Sequence, residues 1–144
     1  MIKYLDHFNI TVTDLEKSVD FYQRAFGFEV DRRFETESPN IARLSAFENV
    51  HLQMAILQKG TTRMGLLYYT NPTSTVDTRL GLNDVGAPQL VFDVDDVQAE
   101  YKRLTEMGVK FKTEPVTDTG ARIMAAQGWD PNGVTIEIVE RIKP

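Results

Sequence analysis

Polar and apolar residues alternate at the start of the chain: His7, Asn9 and Thr11 fall on one face, Phe8, Ile10 and Val12 on the other. This two-residue period is that of a strand with one side covered. Directly afterwards the period lengthens. Leu15, Val19, Tyr22 and Phe26 recur at helical spacing, with Asp14 placed as N-cap and Gly27 as the stop. The pattern returns later in the chain. Leu90, Phe92 and Val94 make an apolar strand face, Asp95 or Asp96 caps, Val97, Tyr101 and Leu104 form the stripe, and Gly108 terminates it. His7 and Gln89 therefore occupy equivalent positions, both pointing away from the side that the helix covers.

The segments between follow the same reading. Residues 28–34 alternate apolar and charged side chains and predict a half-exposed strand, and 35–40, with Pro39, a loop. Residues 41–47 fit a short helical turn or a strand edge equally well. Residues 50–57 predict a strand with His51, Gln53 and Ala55 on one face and Leu52, Met54 and Ile56 on the other, and 63–70 another, joined by a turn at Lys59-Gly60-Thr61-Thr62. Residues 71–86, punctuated by Pro72, Gly81 and Gly86, predict a linker. In the second half 109–112 is expected to be a strand, 113–120 a loop, and 121–127 and 134–139 strands joined at Asp130-Pro131-Asn132-Gly133. Each half thus reads β, α, β, β, β: module one at about 1–70 and module two at about 87–144 of a single domain. The repeat also matches Met54-Ala55 with Met124-Ala125, and Met64-Gly65-Leu66 with Ile136-Glu137-Ile138. His7 pairs with Gln89, and Gly65 with Glu137.

Composition narrows the chemistry. The 144 residues suffice for one domain or for two half-domains sharing a core, 42% are hydrophobic and 26% charged, and no run approaches the ~20 apolar residues of a membrane span. The start lacks the apolar core of a signal peptide and there is no cysteine, which favours the cytoplasm and excludes thiolate metal sites, disulfides and thiol nucleophiles. Any metal must be held by nitrogen and oxygen. A net charge of −5 with no Lys/Arg cluster argues against nucleic-acid binding. Neither a dinucleotide fingerprint nor a nucleophile elbow is present, so no cofactor-binding motif is assigned.

Four stretches carry a resemblance: residues 6–12 (Asp-His-Phe-Asn-Ile-Thr-Val), 14–22 (Asp-Leu-Glu-Lys-Ser-Val-Asp-Phe-Tyr), 94–97 (Val-Asp-Asp-Val) and 129–138 (Trp-Asp-Pro-Asn-Gly-Val-Thr-Ile-Glu-Ile). Together they resemble the vicinal oxygen chelate superfamily of glyoxalase I, methylmalonyl-CoA epimerase, extradiol dioxygenases and bleomycin or fosfomycin resistance proteins. The resemblance implies an α+β fold of two βαβββ modules around a pseudo-twofold, barrel-like cavity, and a homodimer. It also implies a divalent ion, Zn, Ni, Mn or Fe, held by the first and last strands of each module. Carried over, His7 and Glu137 match the commonest ligands and are the expected catalytic pair, Glu137 as ligand or proton-transfer base. Gly65 stands where a second glutamate is usual, and Gln89 where a second histidine is. Gln89 and His51 are weaker ligand candidates, while Gln53, Tyr69, Arg122 and Trp129 are candidates for a substrate pocket. Arg63, Arg79 and Arg122 are candidates for an anion clamp.

The leading expectation is a glyoxalase-like, metal-assisted enzyme that acts on a small oxygenated substrate by Lewis-acid and enolate chemistry. The competing expectations are a metal-free protein that binds or sequesters a drug or metabolite, an extradiol dioxygenase-like oxidoreductase with Gln89 in place of a histidine, and a standalone interaction subunit.

Overall fold

A computed structural model describes residues 1–76 and 80–142. The chain divides into two compact units, Met1–Asp77 and Thr78–Pro144. The first runs β1 (Phe8–Thr11), α1 (Leu15–Phe26), β2 (Glu29–Thr36), α2 (Pro39–Ser45), β3 (His51–Lys59) and β4 (Thr62–Asn71). The second runs β5 (Gln89–Asp93), α3 (Val97–Glu106), β6 (Val116–Asp118), β7 (Ile123–Trp129) and β8 (Thr135–Arg141). The sheets share one topology, β1-β4-β3-β2 and β5-β8-β7-β6, with the first two strands of each parallel and the rest antiparallel. Both units are thus the α+β modules that the repeat predicts.

Helix ends obey the local chemistry. The Asp14 side chain accepts from the Lys17 amide at 3.0 Å, and Gly27 closes α1 at φ 68, a left-handed conformation that a Cβ disfavours. Asp96 caps α3 in the same manner, accepting from the Ala99 amide at 2.9 Å. One stripe of each helix is buried against its own sheet. Tyr22, at 0% exposure, meets the edges of Phe21 and Phe28. It lies over the face formed by Ala55, Leu57, Met64 and Leu66, all 0% exposed. In the second unit Val97 and Leu104 take that role against Ile136, Ile138 and Ala126.

The register confirms the main equivalence and corrects another. Asn9 pairs with Gly65 and Val91 with Glu137, so Gly65 and Glu137 occupy the same place in the two modules, two residues on from His7 and Gln89. However, Ile56 faces Gly65 and Gln127 faces Glu137, which aligns Ala55 with Ala126. The match of Met54-Ala55 to Met124-Ala125 is therefore one residue out. The shared Met-Ala pair misleads, because pairing across the sheet sets the register and a slip of one exchanges the faces.

Elsewhere the structure takes the helical alternative for 41–47, starting that helix inside the expected loop, and departs from expectation in the second module. Residues 39–45 are helical, with Ser38 as N-cap and Pro39 at the first position, where its missing N–H is of no consequence. The expected strand at 109–112 makes only an isolated bridge from Phe111 to Gly128, and the second strand of the module is instead β6, inside the expected loop. Close packing explains the bridge. A Cβ at Gly128 would lie 2.6 Å from the Lys110 carbonyl oxygen, and on either side Lys112 N–H donates to Gln127 at 2.7 Å and Trp129 N–H to Lys110 at 3.2 Å. Gly128→Ala is expected to cost about 1–3 kcal/mol by overpacking, read as a lower denaturation midpoint at unchanged slope. A variant as stable as the parent would show that the approach is not needed.

Candidate functional site

In the first unit the relevant side chains collect where the chain enters β1. Alternation places His7 on the Asn9 side of the sheet, opposite α1. Its Nδ1 lies 2.6 Å from Asp6 Oδ2, while Arg63 donates to Asp6 Oδ1 at 3.1 Å and to Asp31 Oδ2 at 2.9 Å. The hydrogen bond with His7, and then the charge of Arg63, hold the Asp6 carboxyl below its ordinary value. Asp6 is thus a carboxylate, an acceptor only, at neutral pH. A neutral His7 must then carry its proton on Nδ1, leaving the Nε2 lone pair without a partner among the described residues.

Gly65 offers no ligand, and its place is filled. A Cβ there would lie 2.0 Å from Asn9 Oδ1 and 2.7 Å from Met54 Cε. Asn9 covers the position at which the second unit presents Glu137.

In that unit Glu137 lies in the middle of β8 and is half-buried. Gln89 Nε2 donates to its Oε2 at 2.9 Å and Gln127 Nε2 to the same atom at 2.6 Å. Lys112 Nζ reaches Gln127 Oε1 at 3.4 Å and lies 5.5 Å from the centre of the Trp129 ring. Two carboxamides thus fix one carboxylate oxygen, with the ammonium holding the Gln127 carbonyl behind them, and Oε1 is left without a partner among the described residues. Gln127 is the residue that sequence reasoning missed. It sits directly across the strand pair from Glu137, a relation that only the correct register reveals.

The remaining candidates separate from these clusters. His51 Nε2 contacts Glu35, its Nδ1 lies 3.7 Å from Glu37, and Gln53 donates to Glu35 at 3.1 Å. Bonds from Gln53 and then His51 hold the Glu35 carboxyl below its ordinary value. Gln53 shares the Ala55 face, the side that α1 covers, and so lies opposite Gly65 and Asn9. The alternation was right, but the face is not the one a pocket lined by Asn9 would use. His51 lines a separate cavity of about 440 Å³ with Glu37, Glu48, Asn49 and Asn71. Tyr69 packs edge-on against Phe47 at 6.1 Å and joins Ile41 and Leu67 against the cluster of Ala42, Val50 and Leu52, so it helps seat α2 on the sheet. Arg122, exposed just before β7 at φ 55, does not pair with Glu137. Arg63 is engaged by two aspartates, and Arg79 lies outside the described residues.

Among the described residues no three His, Asp or Glu side chains form a group that could hold a metal. No described helix is long and apolar enough to cross a membrane.

Comparison with known proteins places these observations in a family. The model of the Glyoxalase/Bleomycin resistance protein/Dioxygenase superfamily matches residues 4–138. Among curated proteins none matches the sequence. Solved structures do. A glyoxalase family protein from Bacillus cereus superposes with a TM-score of 0.89 at 20% identity, covering 99% of this chain and 97% of that one. The trypanothione-dependent glyoxalase I of Leishmania major gives 0.66 at 21%, covering 96% and 87%. A mutant of the fosfomycin resistance protein FosX from Listeria monocytogenes, complexed with Mn(II) and 1S,2S-dihydroxypropylphosphonic acid, gives 0.65 at 15%, covering 98% and 94%. At such identities the likeness concerns the fold.

Proposed function

Because this chain belongs to the Glyoxalase/Bleomycin resistance protein/Dioxygenase superfamily, we propose that it is a metal-assisted enzyme of the glyoxalase kind, acting on a small oxygenated molecule. The observation that carries this reading is common to both units. In each, the principal polar group has one atom held by neighbours and the other left open: His7 by Asp6 at Nδ1, Glu137 by Gln89 and Gln127 at Oε2.

The donor chemistry fits a divalent ion. A histidine whose second nitrogen donates to a carboxylate is the usual form of a metal-binding imidazole. Taken unit by unit, the first offers a nitrogen donor at His7 and the second a carboxylate oxygen at Glu137, donor types that suit Mn, Fe or Zn. Gly65 offers the first unit no second donor. When bound, the ion would polarise a carbonyl or a pair of neighbouring oxygens on the substrate.

The protein's own part is then positional and acid–base. Glu137 Oε1, the oxygen left open, would serve either as a donor to the ion or as the base that takes a proton from a substrate carbon, while Oε2 stays fixed by the two carboxamides. Lys112 sets the Gln127 amide so that nitrogen faces the carboxylate. A homodimer in the cytoplasm, with a small molecule as its partner, completes the proposal.

A metal-free binding protein is the second reading, favoured by Asn9 filling the Gly65 position. An extradiol dioxygenase-like reaction requires Fe(II) with Gln89 acting in place of a histidine. Protein prepared without chelators or a metal-binding tag, titrated with Mn, Fe(II), Zn and Ni, separates these readings. The enzyme reading expects a Kd tighter than about 1 mM, a binding free energy beyond about −4 kcal/mol, and at least a tenfold loss in His7→Ala. Binding no tighter than that, with small-molecule binding unchanged in His7→Ala, gives the metal-free reading its place.

A further inference from the structure

We infer that Asp31, Arg63 and Asp6 form a positioning relay that holds His7 in the Nδ1–H tautomer and keeps its Nε2 lone pair open. The relay deepens the metal-assisted reading and rests on it for its purpose. The tautomer itself is measurable whether or not that reading holds.

The relay is built from three strands' worth of backbone. Arg63 precedes Met64, which pairs with Phe8, so β4 delivers the guanidinium to the entry of β1, where Asp6 and His7 lie. Asp31 is the residue at which the β2–β3 register shifts between Val30 and Arg32. A bulge of this sort re-aims a side chain, and here the carboxylate reaches the second arm of the Arg63 fork at 2.9 Å. With both NH groups committed, Arg63 is fixed in direction, and its first arm fixes Asp6 at 3.1 Å. Asp6 then presents Oδ2 to His7 Nδ1.

Two observations separate a relay from an incidental ion pair. Arg63 Nε is buried and has no hydrogen-bond partner, a cost of about 1–3 kcal/mol that a freely placed arginine would avoid. The internal repeat supplies the second. At the positions equivalent to Asp6 and Arg63 the other module has Pro88 and Thr135, beside Gln89. The relay accompanies the histidine and is missing where the equivalent residue has no tautomer to choose.

The test is long-range 1H–15N correlation on the metal-free protein with labelled histidine, at a pH above the imidazole range. Only His7 and His51 contribute, and His7→Gln assigns them. The expected result is a pyrrole-type Nδ1 and a pyridine-type Nε2 for His7. Asp6→Asn and Arg63→Met are expected to move the population toward the Nε2–H form that free imidazole prefers, and Arg63→Lys, which keeps the charge beside Asp6, to restore most of the original signature. Manganese affinity should fall 10- to 100-fold in Asp6→Asn, as when other partners of metal-bound histidines are lost. An Nε2–H signature in the parent, or one that Asp6→Asn and Arg63→Met both leave unchanged while folded by thermal melt, overturns the relay. A fixed Nδ1–H tautomer without manganese binding keeps the relay and removes the metal-assisted function.

Discussion

Glu137→Gln is expected to lower the affinity for Mn(II) at least about a hundredfold, or about 2.7 kcal/mol, while leaving the protein folded. The substitution preserves shape and removes charge. A carboxamide oxygen at position 137 still accepts from Gln89 and Gln127, which now donate to Glu137 at 2.9 and 2.6 Å. What changes on the structural side is that two charge-assisted bonds become neutral ones, at a cost of about 1–2 kcal/mol. A melting temperature lower by a few degrees is therefore expected. On the proposed metal role, the second unit loses its carboxylate donor and is left with carboxamides alone. Calorimetric titration and a thermal melt on one sample separate the two effects. If Mn(II) affinity stays within twofold of the parent while the melt shifts, Glu137 serves only as a hydrogen-bond acceptor, and its metal role is withdrawn.

Tyr22→Ala carries the largest expected effect on stability, about 3–5 kcal/mol. The side chain is fully buried beneath the sheet of the first unit, its ring 5.1 Å from that of Phe21 and 6.2 Å from those of Phe26 and Phe28. Truncation removes the apolar area of an aromatic ring and three ring contacts, two of them edge-on. Neighbours held by α1 and by the closely packed strands β3 and β4 have little room to collapse into the space. Against a total stability of about 5–15 kcal/mol, such a loss leaves the first unit partly unfolded near physiological temperature. Urea denaturation followed by tryptophan fluorescence and by circular dichroism measures it. The two probes are informative together because Trp129, the only tryptophan, lies in the second unit. A loss below about 1 kcal/mol would mean that the aromatic cluster is not what holds α1 to its sheet.

Local signals were enough for the elements that make each module recognisable. Asp14 and Gly27 bound α1 because capping needs only the side chain and backbone of a few adjacent residues. Asp130-Pro131-Asn132-Gly133 forms a turn for the same reason, the Asp130 side chain accepting from the amides of Asn132 and Val134 at 2.8 Å each. Strand assignments failed where pairing is remote and short. β6 has three residues and exists through its bonds to β7, while 109–112 alternates like a strand but gains a single bridge. Among the candidate site residues, the equivalence of His7 with Gln89 and of Gly65 with Glu137 was legible because the repeat lays one module over the other. Gln127, Asp6 and Arg63 were not legible in these roles, since their importance lies in what stands across the sheet from them.

The sequence by itself therefore determined that there are two α+β modules and which positions of one correspond to which of the other, His7 to Gln89 and Gly65 to Glu137. Periodicity and capping are properties of neighbouring residues, and a repeat needs no third dimension to be seen. Only the tertiary structure decided the state of those positions. Cross-strand register and a bulge at Asp31 bring the Asp31–Arg63–Asp6 relay to His7 and the two carboxamides to Glu137, and they put Asn9 over Gly65. A strand fixes which residues share a face, but which side chains meet across it depends on partners up to 57 residues away.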